Sequence, residues 1–133
     1  MGKNLKTVSY LFPLSNKDYV YFLTEYNNQT KEYELSYQKV NFDTGTKYDI
    51  NFITKIAAKN MFNIGDFFVA QSENKEFYAI VSRPIGDKKL NEKVTLYLLD
   101  ANFKILKSIE HTFNFTTKQS FNIDLHVTNN GNL

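Results

Sequence analysis

Short runs of apolar and aromatic residues recur every 8 to 16 residues along the chain, separated by polar segments rich in Asn, Lys, Asp and Gly. Runs of this length, bounded by turn-forming residues, are typical of β-strands. We therefore predict eight strands in two groups of four, at Val8–Phe12, Tyr19–Glu25, Tyr33–Phe42, Lys47–Ile53, Phe67–Gln71, Phe77–Arg83, Val94–Leu99 and Lys104–Phe113. A ninth strand is predicted at Ile123–Thr128, ahead of an Asn- and Gly-rich hairpin signal.

The second strand of each group is apolar without alternation. Residues 20–23 read Val-Tyr-Phe-Leu and residues 78–81 read Tyr-Ala-Ile-Val. A strand with one face in water would alternate, so both strands are predicted to be covered on both faces. The side chains predicted to be largely buried are Phe22, Leu23, Ile80, Val81, Leu96 and Leu98.

The pattern restarts 58 residues along the chain. Asn16-Lys17-Asp18 returns as Asn74-Lys75-Glu76, so that Tyr19 aligns with Phe77 and Phe22 with Ile80. A fixed period is typical of repeat architectures. We predict one all-β repeat domain over residues 1–133, made of two consecutive four-stranded antiparallel meanders and the first strand of a third. Unit one covers about residues 8–60, unit two about 61–120 and a partial unit three about 121–133.

Asp43 and Asp100 are predicted to be equivalent in the two units. Each closes the third strand and begins a turn, where an Asp side chain accepts hydrogen bonds from backbone N–H groups two residues on. A pair of catalytic carboxylates is the alternative, but equivalent positions in adjacent repeats lie a whole unit apart. The predicted role is therefore structural.

These units resemble the blades of a β-propeller, in the four-strand pattern, the Asp-headed turns and the Asn-Gly hairpin signal at 129–132. They are similar to the long blades of bacterial sensor and surface proteins, but the chain has no Trp-Asp pair as in WD40 blades and no Gly-Gly pair as in kelch blades. The resemblance implies a non-enzymatic binding or scaffold module that engages a protein, peptide or glycan. Because propellers need four to eight blades, the chain is expected to be a fragment of a larger propeller and to self-associate when isolated.

Three alternatives stay open at this stage. The chain is a fragment of a propeller enzyme whose catalytic residues lie elsewhere, a small ligand-binding β-barrel, or a sandwich of two units packed face to face. In addition, residues 54–61 have helix-like propensity, which leaves a short helical turn open, and in a propeller they form the connection between the two blades.

Composition excludes several functions. The net charge is +2, and fifteen of the sixteen basic residues are Lys, with Arg83 the exception. Nucleic-acid readers depend on the Arg fork, so no nucleic-acid partner is predicted. The chain has no Cys, and therefore no disulfide or thiolate metal site. We predict no signal peptide and no membrane insertion, and the compartment stays open.

Candidates for catalysis are few. His111 and His126 are the two His residues; His111 is expected on an exposed outer strand and His126 in a structural position. Asp66 and Asp124 offer one carboxylate per repeat, which does not make a metal site. No catalytic residue, metal or cofactor is predicted, and the chain is not expected to be an enzyme.

Candidate binding residues lie in the polar hairpin loops. The rim of a propeller is built from such loops, and the candidates here are Asn27, Asn28, Lys88 and Lys89. A protein or a glycan is the expected partner.

Overall fold

The computed structural model describes residues 7–15, 17–59, 64–84 and 91–116, which form strands and turns without a helix. The strands are β1 (Thr7–Pro13), β2 (Asp18–Asn27), β3 (Glu32–Asn41), β4 (Thr46–Ala57), β5 (Asp66–Gln71), β6 (Phe77–Arg83), β7 (Asn91–Asp100) and β8 (Ile105–Thr116). The predicted all-β class is confirmed. The ninth predicted strand lies outside the described residues.

The strands form two four-stranded antiparallel sheets in chain order, β1-β2-β3-β4 and β5-β6-β7-β8. The chain divides into two compact units, residues 1–64 and 65–133, each holding one sheet. Both sheets are therefore meanders, as predicted. The first sheet has open edges at β1 and β4, and the second at β5 and β8. A small ligand-binding barrel would instead be closed.

Corresponding strands of the two sheets begin 59 residues apart, at Thr7 and Asp66, Asp18 and Phe77, Glu32 and Asn91, and Thr46 and Ile105. The central ladders agree with this shift, because β2 pairs with β3 from Asp18 opposite Asn41 and β6 pairs with β7 from Phe77 opposite Asp100. Tyr19 therefore corresponds to Tyr78, and the predicted alignment of Tyr19 with Phe77 is wrong by one residue. The cause is the turn between the first two strands, which has four residues in the first sheet and five in the second.

The same shift corrects the prediction for the Asp-headed turns. Asp100 does cap its turn, since its Oδ1 accepts hydrogen bonds from the backbone N–H groups of Asn102 (2.9 Å) and Lys104 (3.0 Å). Its counterpart at the end of β3 is Asn41, whose Oδ1 accepts from the backbone of Thr44 at 3.0 Å. The predicted equivalence of Asp100 with Asp43 is therefore wrong. Asp43 instead pairs with Lys17, with 3.2 Å between Nζ and Oδ2.

In each sheet a pair of stacked aromatic rings lies beside the turn between the third and fourth strands. Tyr19 stacks on Phe42 in the first sheet, with ring centroids 4.5 Å apart. Tyr78 stacks on Phe103 in the second sheet at 4.8 Å. The surroundings differ, because Phe42 is 51% exposed and Phe103 only 7%.

The short helical turn left open for residues 54–61 is not formed over the described residues 54–59. β4 continues to Ala57, with Lys55 opposite Glu34 and Ile56 opposite Tyr33. Because β3 begins at Glu32, it provides hydrogen-bonding partners for the last residues of β4. A continuous ladder satisfies the backbone polar groups, which outweighs the weak local propensity of the sequence. Residues 60 and 61 lie outside the described residues.

The inner strands are buried as predicted. In β6 every side chain from Tyr78 to Ser82 is buried. In β2, Val20 and Phe22 have no exposed surface, whereas Tyr21 is half-buried. Burial is confirmed for Phe22, Leu23, Ile80, Val81 and Leu98, while Leu96 is only half-buried.

Burial of Tyr78 predicts a loss of stability at alkaline pH. Burial raises the pKa of its phenol above the ordinary 10.0, although a hydrogen bond from Gln71 Nε2 (3.0 Å) partly offsets this. In the unfolded chain the phenol ionises near pH 10, while the folded chain keeps it protonated. The folded state then binds more protons, so stability falls as pH rises above about 10.

Urea unfolding at pH values from about 9 to about 11 checks this. Tyr78→Phe should lose less stability than the wild type over this interval, since it removes the ionisable group. Tyr48→Phe is the matched control, because Tyr48 is 54% exposed. An identical alkaline loss in the wild type and in Tyr78→Phe would contradict the assignment.

Candidate functional site

A groove of about 860 Å³ lies on the first sheet, at the end that carries the β1–β2 and β3–β4 turns. It is the candidate functional site. Its walls combine aromatic, charged and amide side chains, and its lining residues are Leu14, Ser15, Asp18, Tyr37, Lys39, Lys47, Tyr48, Asp49 and Asn51.

The wall formed by β3 follows ordinary strand geometry. Tyr37 and Lys39 are two residues apart and therefore point to the same face of the sheet. Tyr37 lies opposite Asn51 of β4 and opposite Phe22 of β2. Phe22 is fully buried while Tyr37 and Lys39 are half-buried, so this face changes from core to surface across β3.

The wall formed by β4 depends on an irregularity in the ladder. Gln38 pairs with Ile50 but Val40 pairs with Lys47, so β4 has one extra residue over this interval. A β-bulge of this kind redirects side chains. It explains how the three consecutive residues Lys47, Tyr48 and Asp49 all line one groove, which a regular strand would not allow.

Two hydrogen bonds hold the bulged segment in place. The side-chain amide of Gln38 donates from Nε2 to the carbonyl oxygen of Tyr48 at 3.0 Å. The side-chain amide of Asn51 donates from Nδ2 to the carbonyl oxygen of Asp49 at 3.1 Å. Both carbonyl groups belong to residues that line the groove, so the backbone that carries Tyr48 and Asp49 is braced from β3 and from β4 itself.

The turn between β1 and β2 closes the end of the groove, and Asp18 organises it. Asp18 Oδ2 accepts a hydrogen bond from the Ser15 hydroxyl at 3.1 Å, and Oδ1 accepts one from Asn41 Nδ2 at 2.7 Å. Its backbone carbonyl accepts from the N–H of Leu14 at 2.8 Å. Both carboxylate oxygens are therefore occupied within the protein, and Asp18 positions the turn.

The remaining groove residues set its chemistry. Lys39 and Lys47 supply ammonium donors, Asp49 and Asp18 carboxylates, and Asn51 an amide with both donor and acceptor atoms. The charges balance, which does not favour a strongly anionic or cationic ligand. Tyr37 and Tyr48 add aromatic rings with a hydroxyl at the edge, an amphipathic surface suited to a ligand that is partly apolar and partly polar.

The candidates from the sequence lie elsewhere. The Asn27 Oδ1 atom accepts hydrogen bonds from the backbone of Gln29 (3.0 Å) and Thr30 (3.2 Å), so this side chain shapes the β2–β3 hairpin. Asn28 is exposed in the same hairpin and accepts from Lys31 Nζ at 3.2 Å. β2 runs from the groove end to this hairpin, so the two lie at opposite ends of the first sheet.

Lys88 and Lys89 lie outside the described residues. Sequence reasoning missed the groove because no short motif marks it. The available signal was the density of aromatic and polar side chains around the Gly45 turn, at Tyr37, Lys39, Tyr48 and Asn51.

One ion pair lies beside the β2–β3 hairpin, away from the groove. Lys55 Nζ is 3.1 Å from Glu32 Oε1, and this hydrogen bond lowers the pKa of the Glu32 carboxyl below its usual range. Exposed pairs of this type contribute little to stability. Its effect is local, where it ties the start of β3 to the end of β4.

The other candidates for chemistry are also placed. His111 is exposed on β8, opposite Val94, while His126 lies outside the described residues. Asp66 lies beside Arg83, with 3.7 Å between Oδ2 and Nη1. Asp124 is not among the described residues. Within the described ranges there is no group of three or more His, Asp or Glu side chains placed to hold a metal ion, and no helix long and apolar enough to cross a membrane.

No protein-family model, curated protein or solved structure matches this chain. We therefore infer function from the sheets and the groove themselves.

Proposed function

We propose that this chain is a non-enzymatic binding module of the β-propeller type, in which the two sheets are consecutive blades, and that its groove on the first sheet binds a neutral glycan. The observation that carries the proposal is the pair of tyrosines, Tyr37 on β3 and Tyr48 on β4, which line a groove whose charged side chains balance.

The blade assignment is supported by three features. Each sheet is a four-stranded meander, corresponding strands of the two sheets begin 59 residues apart, and the inner strand of each is largely buried. An inner strand that is covered on both faces needs a layer on each side, and stacked propeller blades supply such layers.

The glycan assignment is supported by the side-chain chemistry. Sugars present apolar C–H faces and a rim of hydroxyl groups. The rings of Tyr37 and Tyr48 suit the apolar faces, and Asn51, Asp49 and Lys39 supply donors and acceptors for the hydroxyl groups. A polyanionic ligand would meet Asp18 and Asp49 as well as the lysines, so net charge gives it no advantage.

A nuclear magnetic resonance titration of the ¹⁵N-labelled chain tests the proposal. The probes are neutral oligosaccharides, such as chitotriose and cellotetraose, and short uncharged peptides. We expect the oligosaccharides to shift backbone amides of residues 37–39 and 47–51. Tyr48→Ala should weaken binding about tenfold or more, equivalent to about 1.4 kcal/mol or more, because it removes one aromatic wall.

Asn28→Ala is the control, since Asn28 is exposed at the opposite end of the same sheet. It should leave the affinity unchanged. Shifts confined to residues 27–31, with affinity lost in Asn28→Ala, would place the site on the hairpin instead. Binding of the peptides but of none of the oligosaccharides would overturn the glycan assignment.

A further inference from the structure

The polar groups of the groove are not equally available to a ligand. At the β1–β2 turn, both carboxylate oxygens of Asp18 accept hydrogen bonds, one from the Ser15 hydroxyl at 3.1 Å and one from Asn41 Nδ2 at 2.7 Å. The Ser15 hydroxyl in turn accepts from the backbone N–H of Asp18 at 3.3 Å. Groups whose hydrogen bonds are already made gain little from a ligand. The turn therefore forms a wall of the groove and leaves the specific contacts to other residues.

The available groups lie on β4. Lys47, Tyr48 and Asp49 are exposed and line the groove. Among the residues that the structure describes, neither the Lys47 ammonium nor the Asp49 carboxylate has a hydrogen-bonding or ionic partner. The two groups are opposite in charge, yet they do not form an ion pair with each other. A ligand in the groove can therefore contact both of them.

These two groups form different kinds of hydrogen bond. The Lys47 ammonium only donates, and the ionised Asp49 carboxylate only accepts. The bulge in β4 lets both of them line the groove, with Tyr48 between them in the chain. A ligand group that fits this wall offers an acceptor to Lys47, a donor to Asp49 and an apolar part to an aromatic ring. A sugar hydroxyl can either donate or accept, so hydroxyl groups alone do not exploit this ordered pair.

A secondary amide is a neutral group with the required order. Its N–H only donates and its carbonyl oxygen only accepts, and in a trans amide the two point to opposite sides. The acetamido group of an N-acetylated sugar also carries a methyl group, which suits the face of a tyrosine ring such as that of Tyr48. Hydrogen bonds in which one partner is ionised are stronger than those between neutral groups. Both amide bonds at this wall would be of the stronger kind.

Building on the proposed function, in which the groove binds a neutral glycan, we propose that this glycan is N-acetylated. Asp49 and Lys47 are its specificity-determining residues: the Asp49 carboxylate accepts from the acetamido N–H, and the Lys47 ammonium donates to the acetamido carbonyl. A deacetylated amino sugar fits less well. Its ammonium group would be attracted by Asp49 but repelled by Lys47, which would then have no acceptor.

Nuclear magnetic resonance titration of the ¹⁵N-labelled chain with three trisaccharides tests the inference. The trisaccharides differ only in the substituent on the second carbon of each ring, which is an acetamido group in chitotriose, a hydroxyl group in cellotriose and an ammonium group in the glucosamine trimer. We expect chitotriose to bind about tenfold more tightly than either of the others. The shifted backbone amides should lie at residues 37–39 and 47–51.

Two variants and a control identify the residues responsible. Asp49→Ala should lower the affinity for chitotriose to about that for cellotriose, and change the affinity for cellotriose by less than about twofold. Lys47→Ala, an independent substitution at the other partner, should have the same effect. Asp43→Ala is the matched control, because Asp43 is an exposed carboxylate of the β3–β4 turn that pairs with Lys17 and does not line the groove. It should leave the preference for chitotriose unchanged.

The outcomes separate this inference from the proposed function. Equal affinities for the three trisaccharides, with shifts in the groove, would overturn the inference and leave the glycan function standing. Tightest binding of the glucosamine trimer would also overturn it, since an ammonium group would then be what the groove recognises. So would a preference for chitotriose that survives both Asp49→Ala and Lys47→Ala. Binding of none of the three would contradict the proposed function, and the inference with it.

Discussion

Replacing Phe22 with Ala is expected to lower the free energy of unfolding by about 3–5 kcal/mol. Phe22 is fully buried on β2, and its ring meets that of Phe12 edge to face, with centroids 5.8 Å apart. β2 is an inner strand, hydrogen-bonded to β1 and to β3. The backbone is therefore held on both sides and cannot collapse into the cavity left by the missing ring, so most of the cavity cost is retained.

Urea unfolding followed by circular dichroism measures this effect, and tyrosine fluorescence provides a second signal. Coincidence of the two curves is needed before a single free energy is assigned, because the chain divides into two units. Phe52→Ala is the matched control: it removes the same ring from the same sheet at a site that is 58% exposed. It should cost less than about 1 kcal/mol, measured at a concentration where the chain is monomeric. Equal losses in the two variants would contradict the placement of Phe22 in the core.

Ile80→Ala is expected to cost about 2–5 kcal/mol. Ile80 has no exposed surface and lies at the centre of β6, opposite Val69 on one side and Tyr97 on the other. Its neighbours along β6 are also buried, so water cannot fill the space that the shortened side chain leaves. This variant tests the second sheet in the same way that Phe22→Ala tests the first.

Ile109→Ala is the control for the second sheet, because Ile109 is 43% exposed on the outer strand β8. It removes the same atoms and should change stability by less than about 1 kcal/mol. The measurement is again urea unfolding with two signals. If Ile80→Ala unfolded at the same urea concentration as the wild type, the assignment of β6 as a strand buried on both faces would be wrong.

The two core predictions also show how far local pattern determines this fold. All eight strands within the described residues were predicted, and β6 was predicted with its observed bounds, Phe77–Arg83. Runs of apolar residues without alternation predicted burial on both faces. Successive residues of a strand point to opposite faces of the sheet, so both faces are apolar only where consecutive residues are apolar. These properties depend on residues close together in the chain.

Register was harder to predict, because it depends on turns. The alignment of Tyr19 with Phe77 failed by one residue, since the polar anchors before them look alike while the two turns differ in length by one residue. A slip of one residue reverses which face each side chain occupies. The pairing of Asp43 with Asp100 failed by two residues, because each starts a turn that leads into a Lys, whereas the structure places Asn41 in the equivalent position.

The sequence by itself determined the all-β class, the order of strands and the burial of the inner strands, since strand period and turn composition are local properties. Tertiary structure decided where a ligand can bind and how far the aromatic pair at each turn is covered. A bulge in β4 lets the consecutive residues Tyr48 and Asp49 line the same groove as Tyr37, and the sequence carries no marker of that extra residue. The exposure of Phe42 and the burial of Phe103 likewise depend on what covers each face. Such contacts join residues that are distant along the chain, and local pattern does not report them.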